Sequence, residues 1–217
     1  MKCIIIAGGT LDIDRKMEWK QHVADLLASA DLIIAADGGA GHLLQLGCLP
    51  HIIMGDLDSI APKALQFFQK KGINIQPYPV RKNRTDTELC MVHALDQGAD
   101  DITFVAATGT RLDHTLANIF LLARLADSSI RARIIDAHNE IYLIRDRLIL
   151  AGKPGDLISL IPVSDRVEGV IVQGLAYPLD GQTLAMGSSL GVSNYFTQKK
   201  AVISIRSGTL IAAKSVD

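Results

Sequence analysis

The chain has too few cysteines to form a disulfide framework. Cys3, Cys48 and Cys90 cannot all pair within one chain, and their spacing matches no metal-binding pattern. Each is flanked by apolar residues, which points to reduced, buried thiols and a cytoplasmic setting. Long apolar runs are missing as well. No stretch approaches the roughly 20 residues that span a bilayer, and the opening Lys2-Cys3-Ile4-Ile5-Ile6-Ala7 is too short for a signal-peptide core. Neither sign of charge dominates: 22 Lys and Arg against 23 Asp and Glu leave a formal charge of −1, so no broad field draws nucleic acid or an anionic membrane. The one basic cluster is local, Arg81-Lys82-Asn83-Arg84. Several catalytic signatures are also absent. There is no G-x-x-x-x-G-K-[ST] for a P-loop, and Gly8-Gly9 do not continue as the glycine fingerprint of a dinucleotide oxidoreductase. Ser59 lies in no G-x-S-x-G elbow, and none of the six histidines has zincin spacing.

What is present is an apolar fraction of 48% with 21% charged residues, enough over 217 residues to build a core and too apolar for disorder. Up to about Ile144, apolar runs such as Leu32-Ile33-Ile34-Ala35-Ala36 and Ile102-Thr103-Phe104-Val105-Ala106 alternate with amphipathic helical stretches. Near-continuous apolar strands separated by helices predict a mostly parallel sheet covered on both faces. After Arg145 the runs become short and are separated by Gly, Pro, Ser and Asp, with no convincing helix among them. The expected fold is therefore α/β over residues 1–145, a mostly parallel sheet flanked by helices, followed over 146–217 by a small all-β, sandwich-like domain.

The segment Gly55-Asp56-Leu57-Asp58-Ser59 follows the apolar run Ile52-Ile53-Met54, so its two acids stand where a buried strand empties into a loop. Open α/β sheets bind ligands at that end of their strands. If the backbone stays extended, the spacing puts both carboxylates on one face, roughly 7 Å apart or less. At about 5 Å they repel by about 3 kcal/mol, a cost that a cation removes. Asp37 precedes Gly38-Gly39 after another strand, Asp86 opens a helical pattern within Thr85-Asp86-Thr87, and Asp113 follows Gly109-Thr110-Arg111-Leu112. Singly, each is also a natural helix cap or turn residue. Together with Lys82, Arg84 and Arg111 they describe a Mg²⁺-dependent polyphosphate site and nucleophilic displacement at phosphorus. Spacing identifies neither the nucleophile nor the phosphorus attacked.

Five segments resemble, in order, those of the thiamine pyrophosphokinases. They are Ala36-Asp37-Gly38-Gly39-Ala40, then Gly47 through Pro50 leading into Gly55-Asp56-Leu57-Asp58-Ser59, then Thr85-Asp86-Thr87-Glu88, then Gly109 through His114, and finally Gly174 through Leu179 with Gly191-Val192-Ser193-Asn194. The resemblance implies an N-terminal catalytic domain that binds ATP and Mg²⁺, a C-terminal domain for thiamine binding and dimerisation, and a homodimer with shared active sites. Its reaction passes a pyrophosphoryl group from ATP to thiamine, giving thiamine diphosphate and AMP. On this sequence it implies Asp56, Asp58 and Asp86 as Mg²⁺ ligands, with Asp86 or Asp113 accepting the hydroxyl proton. Asp37, Gly38, Lys82, Arg84, Thr85, Arg111 and His114 would contact ATP. Tyr177 would stack on thiamine, with Gln173, Ser193 and Asn194 beside it. Two positions depart from the pattern: Asn83 stands where an acid is common, and Thr110 replaces a common second glycine. Two rival readings are a pyrophosphokinase for another hydroxymethyl heterocycle, such as a pterin, and a non-catalytic nucleotide-binding regulator.

Overall fold

A computed structural model describes residues 1–13, 17–126 and 130–216. The chain divides into two compact units, Met1–Ala137 and His138–Asp217. Among the described residues the first unit has six strands: β1 (Lys2–Ile6), β2 (Leu32–Ala36), β3 (Ile52–Gly55), β4 (Asn74–Pro77), β5 (Asp101–Val105) and β6 (Arg131–Ile135). They lie in the order β6-β5-β1-β2-β3-β4, and all their pairings are parallel. Helices α1 (Met17–Ala28), α2 (Gly39–Gln45), α3 (Pro62–Lys70), α4 (Asp86–Asp96) and α5 (Leu112–Leu125) connect them. The central strand explains its own burial: Cys3, Ile4, Ile5 and Ile6 are all fully enclosed, so both faces of β1 are covered. The edge strand β4 instead carries Asn74, Gln76 and Pro77 with little burial, composition suited to a sheet margin.

The chain runs outward from β1 through β2 and β3 to β4, then returns to the other side of β1 with β5. Strand order reverses at β1, and in open parallel sheets the crevice above such a point is where ligands bind. At the same end of the sheet, α4 begins with a side-chain N-cap. Thr85 Oγ1 accepts from the Glu88 backbone N–H at 3.2 Å, which fixes Asp86 at the first helical position.

The second unit is all strand among its described residues: β7 (Asn139–Ile144), β8 (Arg147–Ala151), β9 (Leu157–Pro162), β10 (Arg166–Gln173), β11 (Leu179–Ala185), β12 (Asn194–Tyr195), β13 (Lys200–Ser204) and β14 (Leu210–Ser215). Antiparallel pairing orders them as β12-β9-β14-β7 and β11-β10-β13-β8. Leu160, Val170, Phe196, Ile203 and Leu210 enclose a shared core between the two layers, the sandwich expected from composition. The unit begins earlier than the expected boundary at 145/146. Strand β7 pairs with β14 from Asn139↔Ser215 to Ile144↔Leu210, and so belongs with the β unit. Its Ile141-Tyr142-Leu143-Ile144 run resembles the apolar strands before it, which hid the change of partner.

Candidate active site

The carboxyl ends of β1, β2, β3 and β5, with the segment leading into α4, surround a cleft of about 670 Å³. Its lining includes the glycines Gly8, Gly9 and Gly109. Gly9 N–H donates to Ala106 O at 2.7 Å and Thr10 N–H to Thr108 O at 2.8 Å, joining the loops after β1 and β5. A Cβ on Gly9 would stand 2.2 Å from Thr108 O, so only glycine permits that approach. Asn118 Nδ2 holds Ala107 O at 2.7 Å, Thr108 Oγ1 donates to Asp136 Oδ2 at 2.7 Å, and Gly109 N–H donates to Thr115 Oγ1 at 3.1 Å. These bonds fix the loop that carries Thr110 and Arg111 over the cleft.

Asp37 leaves β2 in the left-handed region (φ 44°) with its N–H on Met54 O at 2.8 Å. Gly38 follows as the N-cap residue of α2. The Asp56 and Asp58 carboxylates meet by a different route from the extended backbone expected of them. Leu57 is also left-handed (φ 66°), so a kink, and not the pleat, sets their relation. One oxygen each from Asp37, Asp56 and Asp58 lies within 4.8 Å of the others, the one such acid group of three or more among the described residues. Asp37 Oδ1 is buried without a hydrogen-bond partner among the described residues. Burial raises the Asp37 pKa, as do the charges of Asp56, Asp86 and Asp58, while the Ser59 hydroxyl acts in the opposite direction. An orphaned, buried oxygen within an all-carboxylate donor set fits a hard cation such as Mg²⁺.

Asp86 lines the same cleft but lies outside that group of three, and its neighbour is Lys82. Lys82 Nζ is 2.8 Å from Asp86 Oδ1 and 3.6 Å from Asp56 Oδ2. Desolvation disfavours the ammonium, yet Asp86 and then Asp56 outweigh it, and the Lys82 pKa is raised. Arg84 lines the cleft with its Nε 3.5 Å from Glu88, which also pairs with Arg124 of α5. Arg111 and His114 line the cleft; Asp113 does not. The Asp113 carboxylate takes a two-point contact from Arg111, at 2.6 and 3.3 Å, and this contact lowers its pKa. Of the two departures from the family pattern, Thr110 lines the cleft and Asn83 is exposed outside it.

Among the cleft residues that motif reasoning left unassigned, Thr10, Thr115 and Asn118 stand out. Asn118 carried a signal: it is a polar residue four positions after His114 on α5 and it is buried. Thr10 carried none, because its place depends on bonds across β1 and β5.

In the second unit, Tyr177 is largely exposed and meets Tyr195 edge to face, with ring centroids 5.9 Å apart. The Asn194 amide serves the backbone here. Its Oδ1 accepts from the N–H of Tyr177 (3.0 Å) and of Tyr195 (2.9 Å), and its Nδ2 donates to Tyr177 O (2.9 Å). It positions Tyr177 and keeps little capacity for a ligand. Ser193 is left-handed (φ 60°) and exposed, with its N–H on Ser159 Oγ at 3.1 Å. Gln173 is exposed at the end of β10.

Comparison with known proteins covers both units. Residues 23–134 match the family described as Thiamin pyrophosphokinase, catalytic domain, and residues 146–210 match Thiamin pyrophosphokinase, vitamin B1 binding domain. The chain is 32% identical to a thiamine pyrophosphokinase of Bacillus subtilis, with all of both chains covered. Among solved structures, the Bacillus subtilis thiamine pyrophosphokinase superposes with a TM-score of 0.86 at 29% identity over all of both chains. A thiamin pyrophosphokinase from Geobacillus thermodenitrificans gives 0.85 at 28% identity, covering 100% of this chain and 98% of the other.

Proposed function

Because the chain belongs to the thiamine pyrophosphokinase family, we propose that it transfers a pyrophosphoryl group from ATP to the hydroxyl of thiamine, releasing thiamine diphosphate and AMP. The observation that carries this reading is the gathering of Asp37, Asp56, Asp58 and Asp86 in one cleft with Lys82, Arg84 and Arg111. Acids for a cation and cations for phosphate oxygens meet at the strand-order switch. Asp56 and Asp58 would hold Mg²⁺ with Asp37 or Asp86 beside them. When bound, Mg²⁺ supplies charge neutralisation on the phosphate oxygens.

In this reading the thiamine hydroxyl oxygen forms the new bond to the β-phosphorus while the bond from that phosphorus to the α,β-bridging oxygen breaks, and AMP departs. Arg84 and Arg111 would offset charge on the transferred group, and Gly8, Gly9 and Gly109 in the lining would let phosphate approach the backbone. Asp86 lines the cleft and Asp113 does not, so Asp86 is the better-placed acceptor for the hydroxyl proton. Tyr177 would lie against the cationic vitamin, with Ser193 and Gln173 near its polar edge and Asn194 fixing the tyrosine. A homodimer would bring the acids of one chain to Tyr177 of the other. The free Cys3, Cys48 and Cys90 suit the reducing cytoplasm, and no helix of the described residues is long and apolar enough to cross a membrane.

Incubating the pure protein with Mg²⁺ and ATP, and with either thiamine or a hydroxymethylpterin, separates the readings. Thiamine diphosphate and AMP, identified by mass, are the expected products. A pterin diphosphate would move the assignment to another acceptor, and nucleotide binding without product would make the chain a regulator.

A further inference from the structure

Lys82 is placed where two roles exclude one another. Its ammonium faces Asp86 Oδ1 at 2.8 Å and Asp56 Oδ2 at 3.6 Å, and its side chain is 14% exposed. Both Nζ and Asp86 Oδ1 are withdrawn from solvent. Asp56 belongs at the same time to the group with Asp37 and Asp58, where the buried Asp37 Oδ1 has no hydrogen-bond partner among the described residues. A divalent ion bound by Asp56 would bring two further positive charges within a few ångströms of Nζ, where like charges repel strongly even at an effective dielectric of about 20. An oxygen 2.8 Å from an ammonium is also not open to an ion that needs ligands at about 2.1 Å.

The ammonium has an exit. Lys82 sits on the irregular segment between β4 and α4, on a flexible four-carbon stem, and lines the same cleft as Gly8, Gly9 and Gly109. Phosphate oxygens entering that cleft would offer it a replacement partner.

We propose that Lys82 is an exchangeable internal cation, whose ammonium competes with a divalent ion for Asp56 and Asp86 and is released to the phosphates when a nucleotide enters. Divalent ion alone then binds weakly, and nucleotide and metal bind cooperatively. This rests on the nucleotide and metal part of the functional reading above and not on thiamine as acceptor.

Mn²⁺, followed by electron paramagnetic resonance on the full chain without thiamine, is the probe. Lys82→Met is expected to bind Mn²⁺ alone at least about tenfold more tightly than the native chain, because a competing charge is gone. Lys82→Arg, which keeps the charge, is expected to bind weakly. A non-hydrolysable ATP analogue should tighten Mn²⁺ binding to the native chain by about tenfold or more and affect Lys82→Met much less. Equal or weaker Mn²⁺ binding by Lys82→Met, or the same tightening in both proteins, overturns the proposal. A second measurement needs no variant: amine acylation of the native chain, read by mass spectrometry, should modify Lys82 slowly, and faster once Mn²⁺ is added at high concentration. Unchanged Lys82 labelling overturns the exchange as well. Neither measurement involves turnover, so a chain that exchanges Lys82 but makes no thiamine diphosphate refutes the functional reading alone. A chain that makes thiamine diphosphate with Mn²⁺ binding indifferent to Lys82 refutes only the exchange.

Discussion

Asp58 and Asp56 differ in how far the fold depends on them. Asp58 is exposed and accepts the Ser59 hydroxyl at 2.9 Å, whereas Asp56 is half-buried and shares Lys82. Asp58→Asn is expected to change stability by no more than about 0.5 kcal/mol while lowering turnover by about 100-fold or more. Circular dichroism melts and a thiamine diphosphate assay at limiting Mg²⁺ check both halves, and near-normal activity would remove Asp58 from the metal site. Arg111 is largely exposed and holds Asp113 through Nε and Nη2, which leaves Nη1 to serve a phosphate oxygen. Arg111→Ala is expected to weaken ATP use by about tenfold, the loss of one charge-assisted hydrogen bond, with the thiamine constant little changed. Separate kinetic constants for each substrate decide it; an effect confined to thiamine would place Arg111 elsewhere. The acids were legible because Asp37, Asp56 and Asp86 follow apolar runs or open a helix. The roles of Asp113 and Asn194 were not, since each depends on which neighbour its side chain reaches, and residue type alone does not carry that choice.

Elements place these residues by close contacts that a single methyl group would break. Gly39 begins α2 directly against β1, and a Cβ there would lie 2.0 Å from Ile6 O. Gly39→Ala is therefore expected to destabilise the first unit by about 1–3 kcal/mol or more, moving α2 and with it Asp37. Urea unfolding measures the loss, and an unchanged midpoint would contradict the packing. In the second unit Asp156 accepts the Lys153 N–H at 2.9 Å and pairs with Lys214 at 3.0 Å. These contacts, the Lys153 bond first, hold its pKa below the ordinary 3.8 despite partial burial. A carboxylate depressed in the fold contributes stability above its unfolded pKa and loses it as pH falls through the folded one. Asp156→Asn is thus expected to melt lower than the native chain near neutral pH, with the gap closing only below 3.8. Melts across that range check the sign. Strands with apolar runs, such as β2 and β9, were legible in the sequence. Strand β11 was not: Asp180, Gly181, Gln182 and Thr183 are exposed, so pairing with β10 holds it without an apolar face to announce it.

At the scale of the molecule, the acids belong to one compact unit and Tyr177 to the other. Each unit has its own enclosed core, around Ile4, Ile34 and Phe104 in the first and Phe196 in the second, so damage to one set of functional residues need not unfold the other. If the active site is shared between two chains, the acids of one chain work with the tyrosine of its partner. Tyr177→Ala is expected to raise the thiamine constant with little effect on ATP, because an aromatic face attracts a cation by roughly 0.5–2 kcal/mol, and Tyr177→Trp should be tolerated. Asp56→Asn should abolish turnover. In a mixed dimer of Tyr177→Ala and Asp56→Asn chains, a shared arrangement leaves one site with both defects and the other with neither. Chains refolded together at equal amounts would give about half their dimers in mixed form, and each mixed dimer would regain one intact site. The mixture should then reach about a quarter of native activity at low thiamine, above either parent. If the sites are formed within single chains, no mixed dimer contains an intact one, and activity stays at the average of the parents. That average is the result that would rule out the shared site.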